Sequence, residues 1–105
     1  MSAYQLIVAV ANRGYTDLIM EAARSAGAGG GTVIHARSTG GTGEKFFGMS
    51  IAEEREMILI VAPTEEKNAI MQAIMAKAGI ETKAQTVTYS LAIDDVAGLR
   101  TVELG

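Results

Sequence analysis

The side chains able to do chemistry are few, and they crowd into one stretch. Between Gly27 and Arg55 lie the only histidine, His35, both phenylalanines, and most of the twelve glycines. His35 stands inside the run TVIHAR, with no cysteine anywhere in the chain and no acid paired to it by spacing. A histidine on a sheet face explains it better than a general base. Glu53, Glu54 and Glu56 flank Arg55. Neighbouring residues of an extended chain point in different directions, so this cluster reads as a solvated loop rather than a metal site. There is no GxSxG and no HExxH. The expectation is a protein without catalysis of its own.

The glycines divide into two groups. GAGGG, Gly27–Gly31, follows a helical pattern instead of preceding one. It therefore does not aim amides at a phosphate from a helix N-terminus, and a helix stop followed by a turn is the better reading. TGGTG, Thr39–Gly43, is free of hydrophobic anchors and sits at the mouth of a long excursion. Glycine there lets a ligand approach the backbone and offers unobstructed amides, although a plain flexible hairpin explains these residues about as well; Thr39 and Gly41 are assigned to the loop surface offered to a partner. A few residues on, Phe46, Phe47 and Met49 put apolar surface into a polar loop. Such surface needs burial in the sheet, in another subunit or in a target.

The elements that must position these residues follow from the hydrophobic pattern. Tyr4–Ala11 and Glu56–Ala62 are apolar on both faces, as central strands are. Asn12-Arg13-Gly14 is a turn. Tyr15, Leu18, Ile19, Ala22, Ala23 and Ala26 share one helical face, with Gly27 as the stop. Thr32–Arg37 is a weaker strand that belongs at an edge. Pro63 ends the third strand and Thr64 is the expected N-cap of a second helix, with Glu65 and Glu66 in its first turn. Ile70, Met71, Ile74, Met75 and Ala78 form the inner face of that helix, and Gly79 ends it as Gly27 ends the first. Gln85–Ile93 alternates as a half-buried edge strand, and Leu99–Leu104 offers a short extra strand. Strand, helix, strand, strand, helix, strand is the order of an α+β, ferredoxin-like βαββαβ sandwich, an antiparallel sheet with two helices on one face.

The totals agree with one such domain over residues 1–105. Hydrophobic residues are 49 % of the 105, yet aromatics are 5 %, so the core is aliphatic. That much apolar surface on a small domain calls for burial between subunits. A net charge of −3 offers no basic stripe to nucleic acid. The absence of cysteine fits a reducing compartment. The opening MSAYQLIVAV lacks a basic leader and no apolar run is long enough for a membrane span, so a cytoplasmic protein is expected.

Four segments carry a likeness to a known family: GGTVIHARSTG (Gly30–Gly40), EKFFGMSI (Glu44–Ile51), MILIVAP (Met57–Pro63) and YSLAIDDVAGL (Tyr89–Leu99). In order and spacing the chain resembles the P-II nitrogen regulators, and a compact P-II-like branch more than the nitrogen regulators proper. The resemblance implies a homotrimer that binds an adenine nucleotide (ATP, ADP or AMP) as effector in clefts between subunits, without a required cofactor. It also implies that Ser38–Glu54 is the T-loop, which docks on a membrane transporter or a metabolic enzyme. The family's adenine-contacting Thr falls on Thr32, a T-loop-base Gly on Gly40, and the phosphate-binding Lys on Arg55. The family's Gly-rich phosphate loop is replaced by IETKAQ (Ile80–Gln85), which leaves Gly79 and Lys83 to serve, and Arg100 stands for the C-terminal basic pair. A family acid becomes Leu59, and no Tyr lies between Tyr15 and Tyr89 to be modified. Two other readings remain open on the residues alone: a ligand-free interaction module that docks on a membrane protein, and a CutA-like metal-binding oligomer.

Overall fold

The two runs that are apolar on both faces pair with each other. In a computed structural model that describes residues 2–38, 45–46, 49–50 and 53–99, strand β1 (Tyr4–Asn12) lies antiparallel to β5 (Glu53–Pro63). Their register runs from Tyr4 opposite Pro63 to Asn12 opposite Arg55. Strand β2 (Thr32–Ser38) pairs with the free side of β5, and β6 (Val87–Ile93) with the free side of β1. The sheet order β2-β5-β1-β6, entirely antiparallel, is the ferredoxin-like arrangement, with the weaker strands at the edges. Between β2 and β5, two short strands, β3 (Lys45–Phe46) and β4 (Met49–Ser50), pair as a hairpin.

Helices α1 (Thr16–Ser25) and α2 (Lys67–Ala78) pack together over one face of the sheet. Ile7, Ala9, Ala11, Ile58, Ile60 and Ala62 point into that layer and meet Ile19, Met20, Ala23, Ile70, Ile74 and Ala78, all buried. Burying each isoleucine contributes about 1.5–3 kcal/mol. Small alanines alternating with branched side chains let the helices approach closely. Met20 joins this core although it lies off the face read from the sequence, whereas Met75, expected inside, is 37 % exposed.

Helix α1 ends as expected. Gly27 has φ +113°, its N–H donates to the Arg24 carbonyl and the Ala28 N–H donates to the Ala23 carbonyl, each at 3.0 Å. Those two bonds are a Schellman motif, which requires the left-handed residue that glycine supplies. Gly79 ends α2 differently. Its φ of −68° and ψ of −169° are extended, and a Cβ there would run into the Met75 carbonyl oxygen. Close approach, not handedness, selects glycine at this end.

Two other expectations are corrected. Thr64 is not an N-cap: a 3-10 turn, Thr64–Glu66, precedes α2, and the Thr64 hydroxyl instead donates to the Ser2 carbonyl at 2.7 Å. Glu53, Glu54 and Glu56 are not a solvated loop either. β5 begins at Glu53, where the ladder with β2 starts: Ser38 stands opposite Glu53, Arg37 opposite Glu54 and His35 opposite Glu56. The excursion expected over Ser38–Glu54 thus runs from the end of β2 at Ser38 to the start of β5 at Glu53. The strand expected over Leu99–Leu104 lies, beyond Leu99, outside the described residues.

The second face of the sheet has no cover from the described residues. Leu6, Val8 and Val10 of β1 share it with Met57, Leu59 and Val61 of β5 and with Val87, Tyr89 and Leu91 of β6. Tyr89 and Leu91 are each 51 % exposed. The apolar side of β6 therefore faces out, and its polar side faces the helices.

Candidate functional site

The residues expected to bind a ligand fall at the two ends of this bare face. Arg55 and Thr32 are connected through β5: Arg55 stands opposite Ala36, and Thr32 opposite Leu59, four residues further along. At roughly 3.3 Å per strand residue the two positions are about 13 Å apart.

At the excursion end, a cavity of about 300 Å³ opens on the bare face. Val10, Met57, Val87 and Tyr89 make an apolar floor, and Arg37, Ser38, Arg55 and Gln85 contribute polar groups. β5 brings Arg55 there, on the same face as Met57 and Ala36, while Arg37, one residue further along β2, alternates to the other face and lines the cavity from the strand end. An apolar floor with the Arg55 guanidinium beside it suits a ligand that has a planar or apolar body and an anionic group. Arg55 Nη1 donates to Asn12 Oδ1 at 2.6 Å, and Asn12 Nδ2 donates to the Lys83 carbonyl at 2.8 Å. Lys83 is thus brought close to Arg55 through its backbone. Gly79 is buried against Met75 and does not line the cavity.

At the other end, a cleft of about 960 Å³ is walled by the glycine stretch, Thr32, Leu59, Val61 and Leu99, with Glu65 and Glu66 on its rim. No cationic side chain lines it among the described residues. The two ends differ in sign: arginines line one, with Arg55 on the bare face, and carboxylates line the other. An anionic group is therefore favoured only at the excursion end.

Behind Arg55, on the helix-covered face, Glu56 is nearly buried. Its Oε1 accepts from the Thr16 hydroxyl at 2.6 Å and from the Gly14 N–H at 3.2 Å, which ties β5 to the start of α1. The Thr16 hydrogen bond holds the Glu56 carboxyl below its ordinary value, burial opposes it, and the Gly14 N–H, His35 and Arg13 add to the lowering. His35 Nδ1 lies 3.8 Å from Glu56 Oε2, and the His35 side chain is 78 % exposed. Arg13 forms an ion pair with Glu54 one step further out. Among the described residues no group of three His, Asp or Glu side chains could hold a metal ion. No helix among them is long and apolar enough to cross a membrane.

Of the expected loop residues, the described backbone includes Phe46 opposite Met49 in the hairpin. Thr39, Gly40, Gly41, Phe47 and Arg100 lie outside the described residues. The sequence reading missed Asn12, taken for a turn residue, and Arg37 and Gln85. The only local signal for Asn12 was a side chain with both donor and acceptor at the end of a central strand.

A family model described as nitrogen regulatory protein P-II matches residues 4–103. The chain belongs to the P-II family. Among solved structures, P-II of Arabidopsis thaliana bound to citrate superposes with a TM-score of 0.73 at 19 % identity, over 95 % of this chain and 86 % of that one. A DUF3240 family protein from Shewanella baltica OS155 superposes with a TM-score of 0.70 at 16 % identity, over 94 % and 99 %. At these identities the two structures speak to the fold, which is the P-II fold. No curated protein matches. P-II proteins are in general non-catalytic signalling proteins that form trimers and bind partner proteins, and this chain is a P-II-like regulatory protein.

Proposed function

We propose that this P-II protein assembles as a homotrimer, binds an adenine nucleotide in the clefts between subunits, and uses the excursion after β2 to regulate a membrane transporter or a metabolic enzyme in the cytoplasm. It acts without catalysis. In this reading Arg55, with Lys83, Gly40 and Arg100, receives the anionic part of the ligand, and Thr32 the base; Gly79, buried against Met75, is left out of the site. Thr39, Gly41, Phe46, Phe47 and Met49 belong to the surface offered to the partner.

The observation that carries the proposal is the split site. Two partial clefts of opposite charge character lie at the two ends of one uncovered apolar face. Association through that face buries Tyr89, Leu91 and Val87 and sets the excursion end of one subunit beside the Thr32 end of the next. Ligand binding at that seam would then shift the excursion between arrangements only insofar as it contacts one of them better.

Isothermal titration with ATP, ADP, AMP and citrate tests the ligand. At least one should bind, and Arg55→Ala should weaken that binding by about tenfold or more, the scale of a lost hydrogen bond to a charged group. A stable trimer that gives no heat with any of the four would leave the ligand-free docking module as the reading.

A further inference from the structure

We infer that Asn12 is a positioning residue. Its single carboxamide fixes the Arg55 guanidinium and the α2–β6 connection in one arrangement, so that both walls of the excursion-end cavity are formed before a ligand arrives. The inference rests on the reading of Arg55 as an anion-binding group.

Asn12 is the last residue of β1, and three bonds leave it. Oδ1 accepts from Arg55 Nη1 at 2.6 Å, Nδ2 donates to the Lys83 carbonyl at 2.8 Å, and the backbone N–H donates to the Ala84 carbonyl at 2.9 Å. Nδ2 also lies 3.5 Å from Gln85 Oε1. The orientation of the amide is set by chemistry. A guanidinium only donates and a carbonyl only accepts, so oxygen must face Arg55 and nitrogen must face Lys83. No other side chain of this length does both. Aspartate would keep the acceptor and set a carboxylate against the Lys83 carbonyl. Alanine would remove both bonds.

What Asn12 holds is a segment that does not favour its own conformation. Gln85 has φ +50°, the one positive value at a non-glycine among the described residues. Beside it, the Thr86 hydroxyl is fully buried with no hydrogen-bond partner among them. Such features persist where surrounding contacts over-determine them. Gln85 and Arg55 both line the cavity, from different elements, and Asn12 is the side chain that bonds to β5 and to the connection at once.

The test uses the whole chain and the variants Asn12→Ala, Asn12→Asp, Arg55→Ala and the Asn12→Ala/Arg55→Ala double. The first readout needs no ligand. Hydrogen exchange of the Gln85 and Thr86 amides should quicken about tenfold in Asn12→Ala, the size of one lost hydrogen bond, while amides of α1 stay within about twofold. Unchanged exchange at 85 and 86 overturns the inference. If Asn12→Ala does not fold, Asn12→Asp, which has the same shape, carries the same comparison. The second readout is affinity for whichever of ATP, ADP, AMP or citrate the wild type binds. Asn12→Ala should bind about tenfold more weakly and Asn12→Asp more weakly still, while the double variant should bind no worse than Arg55→Ala. Additive losses in the double variant also overturn it. A wild type that binds none of the four probes counts against the nucleotide reading, and the exchange comparison then decides the role of Asn12 alone.

Discussion

The two faces of the sheet are made by the same strands from the same kinds of residue, yet they meet different fates. On one face Ile7, Ala9, Ile58 and Ile60 are sealed beneath two helices; on the other Val87, Tyr89 and Leu91 stand exposed. β1 and β5 alternate between the two faces, so both were given apolar residues when only one is covered by the described chain. Contiguous apolar surface on a bare face is the mark of an interaction site. The difference teaches that this domain's core answers to stability, and on the proposed reading its second face answers to association.

The comparison is broken most severely from the covered side. Ile58→Ala should cost about 2–5 kcal/mol, because a fully buried side chain leaves a cavity between β5 and the helices. Thermal unfolding should show a melting temperature lower by ten degrees or more. Glu56→Ala should cost about 1–3 kcal/mol by stranding the Thr16 hydroxyl and the Gly14 N–H. Glu56 also gives the covered face a pH signature. Its folded pKa is lowered from the ordinary 4.5, so its contribution is complete above that value and fades as the pH falls through the folded value. Acid titration of unfolding should show this loss in the wild type, and Glu56→Ala should lack that part of it. On the bare face, Leu91→Ser should change the stability of an isolated subunit by no more than about 0.5 kcal/mol. Sedimentation at rising concentration should nevertheless show weakened association. A large loss of subunit stability there would mean that the two faces do not differ in role.

The sheet was largely legible in the sequence because its signal is long and repeated. Two both-face apolar runs announced the central strands, and the weaker TVIHAR and the alternating QTVTYSLAI announced the edges. Alternation in Gln85–Ile93 separates two faces but does not say which one a helix will cover, and here the apolar one is bare. The start of β5 was hidden because charge looks like loop. What makes Glu53, Glu54 and Glu56 a strand is the backbone ladder to Ser38, Arg37 and His35 of β2, and pairing at that distance is not written locally. Thr64 had the right chemistry for a cap, but its hydroxyl was claimed by Ser2, far away in sequence. The candidate site was legible only in part for the same reason. Arg55 and Thr32 could be placed by resemblance, whereas Asn12 matters through the groups that folding brings to it.

The central claim is that the uncovered face joins copies of this chain. Analytical ultracentrifugation of the wild-type protein over a range of micromolar concentrations measures that directly. The expected result is one species with the mass of three subunits. A single subunit's mass throughout the range, with Tyr89 and Leu91 left in water, would contradict the account.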